Sequence, residues 1–420
     1  MKPTLLFRGP IKTRSGYGSH SRDLLESLYQ MDIFDIKIDS CIWGNTPMTA
    51  LEIDNPFHKW IESNIVTKFD GLPDLYVQVT VPNEFQRFGR FNIGITAGIE
   101  TTVAPKEWVD GCNKMDLIIT TSKFSKDVLL STIYDEKDKN TNELIKRYKI
   151  EKPIEVLFEG VDTNIYNDII NKDFKLDIKE EFAYLFVGHW LKGNVGQDRK
   201  DVGMLIRCFV ESFKDQKKQP ALILKTSSAS FSVKERENFR NKIKDIVGEV
   251  KNPPSIYLLF GDLTNKEMND LYNHPKVKSM VSITKGEGFG RPLLEFTMTG
   301  KPVIASNWSG HKDFLPVDKS VMIGGSLTDV HESAIDSFII KESKWFTANY
   351  NEVVEVLKLV KKDYESFFKK SQQLKIENKS NFSLLKMTNS FREILKPYLV
   401  PMQPAPKQTK LILPKLNKVK

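Results

Sequence analysis

At 420 residues the chain is too long for one hydrophobic core and suits two or three domains. Hydrophobic and charged contents of 40% and 28% are those of a soluble globular enzyme, and no run of about 18 apolar residues marks a membrane span. The net charge of +8, from 62 Lys and Arg against 54 Asp and Glu, suits a phosphate-bearing ligand, an anionic membrane surface or nucleic acid without choosing among them.

The opening MKPTLLFRGP runs from Lys2 into a strand-like segment, without the longer apolar region and small-residue cleavage site of a secretory signal. Cys41, Cys112 and Cys208 are too far apart for a disulfide framework or zinc spacing. A cytoplasmic setting is therefore expected, with peripheral membrane contact left open.

In chain order, TLLFRGPIKTRSGYGSHSRDLLESLYQM (4–31) reads as strand, glycine-rich loop and an amphipathic helix from near Ser19, with Leu24, Leu25 and Leu28 on one face. PDLYVQV, FNIGITA and MDLIITTS are short strands, the last leading into the helix SKFSKDVLLSTI with Ser122 at its cap. PIEVLFEGVDTNIYN is a further strand ending at Gly160. The polar stretch from Thr163 to Glu181 has no strand and reads as an inter-domain connection. The alternation then restarts with FAYLFVG, VGMLIRCFVESFKD, PALILKTS, SVKERENFRNKIKDIV, SIYLLFG, NKEMNDLYNH and VKSMVSIT. This pattern predicts two tandem α/β domains, each a doubly wound parallel sheet. The expected division is 1–165 and 181–348 for the two domains, 166–180 for the connection, 349–396 for an outer helical segment and 397–420 for a disordered basic tail.

Ligands of such sheets lie beyond the carboxyl ends of the strands, where loops meet helix N-termini. Two loops qualify. SGYGS (Ser15–Ser19), with Gly16 and Gly18, follows the first strand and is either a phosphate loop or a tight structural turn. It departs from the dinucleotide fingerprint, with Ser21 at the third small position and no acid expected at the end of a second strand. KGEGFGRPLLE (285–295) is the richer signal. Gly286, Gly288 and Gly290 allow close backbone approach, and Leu293, Leu294 and Glu295 open a helix whose free amides would face the same ligand. Carboxylates repel phosphate, so Glu287 and Glu295 belong at the hydroxyl-bearing ends of a ligand whose middle is anionic.

GEGFGRPLLE followed by TGKPVIAS resembles the donor-site signature of the retaining GT-B glycosyltransferases of the GT4 class. GVDTNIY (160–166), YLFVGHWLKGNVGQDRKDVGMLIRCF and SGYGSHSRDLLESL resemble further motifs of that class in matching order, so the resemblance spans residues 1 to about 395. It implies two Rossmann-like domains facing across a cleft, with a UDP- or GDP-sugar on the second domain and no cofactor or metal. Arg199 and Lys200 would grip the departing diphosphate, unless they lie in a solvated loop. The amides of Gly288, Phe289 and Gly290 would face sugar and diphosphate, Glu287 the sugar hydroxyls and Glu295 the ribose. His189 stands where many relatives carry an arginine, leaving Arg199 or Lys192 to supply the second cation. Glu100 is either an acceptor-orienting group or a cap for the helix near APKEWV.

No D-x-D, Walker A, H-E-x-x-H or G-x-S-x-G pattern competes. Gly310 and His311 could line the donor pocket, though a plain loop histidine is favoured, and base contacts are expected from the backbone of FGDLTN (260–265). The expected reaction moves a hexose-like sugar to a hydroxyl of a saccharide, lipid-linked saccharide or protein. A hydroxylated base in DNA, suggested by the basic balance and the lysine-rich tail, or a non-catalytic nucleotide-sugar binder remain alternatives.

Overall fold

The computed structural model describes residues 2–190, 192–227 and 232–399, so the expected tail falls outside them from residue 400 onward. The first domain runs β1 (Thr4–Gly9), α1 (Gly16–Met31), β2 (Asp35–Ser40), α2 (Pro56–Asn64), β3 (Leu75–Val79), β4 (Phe91–Thr96), α3 (Lys106–Asn113), β5 (Leu117–Thr120) and α4 (Lys123–Ser131). A hairpin, β6 (Tyr134–Lys137) and β7 (Leu144–Tyr148), precedes β8 (Ile154–Val156). The second domain follows with β9 (Ala183–Val187), α5 (Val202–Phe213), β10 (Ala221–Lys225), α6 (Val233–Val247), β11 (Ile256–Leu259), α7 (Asn265–Asn273), β12 (Val277–Ser282), α8 (Arg291–Thr297), β13 (Val303–Ser306) and β14 (Val321–Ile323). A second hairpin, β15 (Gly325–Asp329) and β16 (Lys344–Ala348), leads to α9 (Tyr350–Lys362), α10 (Tyr364–Asn381) and α11 (Leu384–Leu399).

Each domain holds a six-stranded, wholly parallel sheet, in the order β2-β1-β3-β4-β5-β8 and β11-β10-β9-β12-β13-β14. Ala183–Val187 is a continuous apolar run, and Leu75–Val79 is buried throughout even at Gln78, because helices cover both sheet faces. Strand order reverses between β1 and β3 in the first sheet and between β9 and β12 in the second. These switch points leave a crevice at the strands' carboxyl ends, and the loops bordering it carry the chemistry.

Several boundaries differ from the expectation. Helix α1 starts at Gly16, not near Ser19, because Ser15 caps it by accepting from the Gly18 amide at 3.0 Å. Strand β2 was unforeseen, and an acid does stand near its end, Asp39 just before the final Ser40, where it is paired to Arg8. The expected outer segment is three helices with different homes. Helix α9 packs against α5 and α10 against α8, whereas α11 returns to the first domain. There Leu384, Met387, Phe391 and Leu395 join its core along one helical face. The return is stitched beside the inter-domain connection, with Val161 N donating to Phe382 O at 2.9 Å and Leu384 N to Val161 O at 2.8 Å. At Gly160 a Cβ would sit 2.6 Å from Leu384 Cα, so the two crossings could not approach this closely around a larger residue.

Candidate active site

The loop after β9 carries Arg199 and Lys200, and the loop after β12 carries Glu287. These are the two loops beside the second sheet's switch point, so topology alone brings the adjacent Arg199 and Lys200 to the distant Glu287. Lys200 Nζ is bonded to Glu287 Oε1, and Arg199 stands 3.6 Å from Glu287 Oε2. Arg199 also donates to Gly286 O at 2.9 Å and reaches across the domain seam to Glu100 Oε1 at 3.4 Å. Two cations thus face two carboxylates. Burial alone would raise Glu287, but Lys200 and then Arg199 outweigh it and hold the carboxyl below its usual value of 4.5. Burial raises Glu100 despite the neighbouring guanidinium.

Glu287 is propped from behind by Ser309, which the sequence did not single out, and by the adjacent Gly310, which it did. Ser309 Oγ accepts from the Glu287 amide at 3.0 Å, and Gly310 N donates to Glu287 O at 2.9 Å. Ser309 takes a left-handed φ of 76°, a conformation unfavourable for serine that persists here because it aims the hydroxyl at that amide. His311 is fully buried, its Nε2 2.6 Å from Ser306 O, so it packs under the loop and is not a solvated loop histidine. Lys192 donates to Ile335 O at 2.9 Å, which leaves Arg199 as the second cation on Glu287. His189 lies with Nδ1 3.3 Å from Ser227 O.

A second cluster surrounds Glu295. Its Oε1 accepts from Arg291 Nε at 2.8 Å and its Oε2 from the Tyr272 hydroxyl at 3.3 Å. Arg291 is also bonded to Asp23 of α1 and lies 3.8 Å from Glu159 Oε2, so the ion group joins both domains. One guanidinium serves three buried carboxylates. Burial, against the pull of Arg291, pushes Glu159 up to about 7 and raises Asp23 and Glu295. Arg291 was legible as the i,i+4 partner of Glu295, whereas Asp23 and Glu159 carried no local signal.

The glycines also set how closely the two domains approach. A Cβ at Gly286 would lie 1.9 Å from Glu100 O, and one at Gly288 would lie 2.0 Å from Ala97 O. Their small size lets the loop after β4 of the first domain close directly on the loop after β12. Gly290 takes a φ of 97° at the start of α8, while the Phe289 ring is buried against Phe314 at 5.0 Å, leaving only backbone for a ligand. At the first domain's loop, the Gly18 amide is already taken by Ser15, and a Cβ there would meet Thr13 O at 2.3 Å. Gly18 therefore belongs to the turn, whereas nothing lies within 4 Å of the Cβ position of Gly16. Pro105, not Glu100, occupies the N-cap of α3, and Glu100 instead faces Arg199. A polar cavity of 170 Å³ lies where Arg14, Ser15 and Arg22 meet Asp262 and Thr264 of the FGDLTN stretch, with Arg14 and Asp262 paired across the seam at 2.9 Å.

No family model and no curated protein matches the chain. Solved structures do. The glycosyltransferase from Rickettsia africae superposes with a TM-score of 0.62 at 14% identity, over 95% of this chain and 99% of that one. Anabaena HepE in complex with UDP and glucose gives 0.61 at 12% identity, over 94% and 100%. Sucrose-phosphate synthase from Thermosynechococcus elongatus gives 0.61 at 12%, over 95% and 100%. Likeness of this extent at this identity establishes the architecture: two Rossmann-like domains in the GT-B arrangement.

Proposed function

We propose that the chain is a retaining, metal-independent glycosyltransferase that moves a hexose-like sugar from a UDP-sugar to a hydroxyl of a saccharide, a lipid-linked saccharide or a protein. The observation that carries this reading is the convergence of Arg199 and Lys200 on Glu287 at the switch point of a GT-B fold. Solved structures of the same fold include one holding UDP and glucose.

In the proposed reaction the bond from the anomeric carbon to the β-phosphate oxygen breaks. The acceptor oxygen bonds that carbon on the same face, and its proton passes to the departing phosphate. Charge accumulates on the diphosphate as it leaves, and Arg199 and Lys200 stabilise it there. Glu287 is ionised and acceptor-only, so it orients sugar hydroxyls by accepting from them. Glu295 holds the ribose once Arg291 yields one of its bonds, and Glu100 faces the acceptor side. The active site would then be a cytoplasmic one.

The test has two steps. Melting curves with UDP, GDP, ADP and UDP-sugars should single out the uridine nucleotides, with a stabilisation of about 2.7 kcal/mol at a hundredfold excess over Kd. Glu287→Gln should then keep UDP binding and lose turnover. Transfer by that variant at the wild-type rate, or no stabilisation by any nucleotide, overturns the proposal.

A further inference from the structure

Lys285 lies two residues before Glu287 and is 1% exposed, an unusual place for an ammonium group. Its Nζ stands 3.2 Å from Asp201 Oδ2, the residue directly after Lys200, whose side chain is fully buried. It also donates to Thr347 Oγ1 at 3.0 Å, and the Tyr350 hydroxyl donates to the same Asp201 oxygen at 2.8 Å. The Trp345 ring lies beneath, its centroid 5.6 Å from Nζ. Asp198 of the same loop is buried just ahead of α5. Burial and the charge of Asp201 push Asp198 up to about 7.

The backbone repeats the connection. Lys285 N donates to Arg199 O at 2.7 Å, and Thr284 Oγ1 donates to the same carbonyl at 3.3 Å. Asp201 sits at a φ of 54° at the head of α5, so the chain turns sharply just after Lys200 and needs a fixed anchor to keep its direction. The two residues that present cations at the switch point are thus bracketed by ties to the strand end that presents Glu287.

We propose that Lys285 and Asp201, with Tyr350, are positioning residues that set Arg199 and Lys200 at the distance from Glu287 at which they grip the departing diphosphate. This deepens the glycosyl-transfer reading and rests on it. The pair never touches the sugar nucleotide. It acts by removing freedom from a loop whose cations must be in place before charge develops, and a displacement of about 1 Å in such a group can lower a rate about a hundredfold.

The experiment compares wild type, Lys285→Met, Lys285→Arg and the double variant Lys285→Met/Asp201→Asn by melting temperature, UDP affinity and transfer kinetics. Asparagine tolerates the left-handed backbone at position 201, and removing both charges spares the fold the unpaired carboxylate that Lys285→Met alone would leave. Melting of the double variant should lie near wild type, while its kcat falls about a hundredfold with donor KM changed less than about threefold. Lys285→Arg should recover part of the rate. A double variant that is folded and turns over like wild type overturns the positioning role. So does a kcat loss that tracks only the unfolded fraction in every variant. Wild type that binds no UDP and transfers no sugar sinks the glycosyltransferase reading instead, and the two failures are therefore distinct.

Discussion

Around Glu287 two cations meet two carboxylates, while around Arg291 one guanidinium meets three, and both groups bridge the same seam. The balanced group keeps Glu287 ionised against its burial; the acid-rich group cannot do the same for Glu159. The contrast gives the seam a polarity. In the proposed reaction an incoming diphosphate would meet the Arg199 and Lys200 end, where it could replace carboxylates as the partner of those cations. Hydroxyl groups suit the Arg291 end, where carboxylate oxygens are in surplus.

The comparison breaks most visibly at its weakest balance. Arg291→Met strands three buried carboxylates, and denaturant titration should show a loss of about 3–5 kcal/mol. A loss below about 1 kcal/mol would mean that the three acids are not held by this guanidinium alone. At the balanced group the larger effect should fall on turnover. Lys200→Ala should lower kcat by about a hundredfold to a thousandfold, read by transfer from UDP-sugars. Gly288→Ala tests the closure that both groups depend on, because its Cβ would lie 2.0 Å from Ala97 O. Overpacking of about 1–3 kcal/mol should part the loops, giving a larger radius of gyration in small-angle scattering together with weaker turnover.

Glu159→Gln sharpens the comparison through pH. The folded chain holds the Glu159 proton from 4.5 up to about 7 while the unfolded chain releases it, so wild-type stability falls as pH rises through that window. The glutamine variant lacks this slope. It should be more stable than wild type by about 1–3 kcal/mol at pH 8 and indistinguishable well below 4.5, by denaturant midpoints across pH. Glu287 has the opposite sign: its folded-state value is depressed, so its contribution is present above 4.5 and is lost on acidification through the lower folded value.

What could be read in advance follows from where information sits along the chain. Strands such as Ala183–Val187 are legible because burial on both faces demands uninterrupted apolar residues. Strand β2, with the sequence DIKIDS, lies at the sheet edge and buries only Ile36 and Ile38, so its alternation was a strand signal but a short and mostly polar one. The exposed hairpin of β6 and β7 has no hydrophobic demand at all. At the site, Glu287 was read from the glycine-rich loop and Glu295 from its place in the following helix, while Arg199 and Lys200 came only from the resemblance of their stretch to a family motif. Not all the partners that decide their charge could be read so. Asp23 and Glu159 come from separate segments that reach Arg291, four residues before Glu295, only when α1 packs beside the seam. Lys285 passed unnoticed as an ordinary loop lysine because burial is not a property of its neighbours in sequence.

The doubled crossing at Val161 and Phe382–Leu384 has a mechanical consequence. A single tether would leave one domain free to swivel and slide over the other. Two strands of chain, hydrogen-bonded side by side, act as the spine of a book. Relative motion of the domains is therefore constrained by two adjacent crossings instead of one, and the tight contact of the Gly286 and Gly288 backbone with the Glu100 loop must be broken for the domains to part.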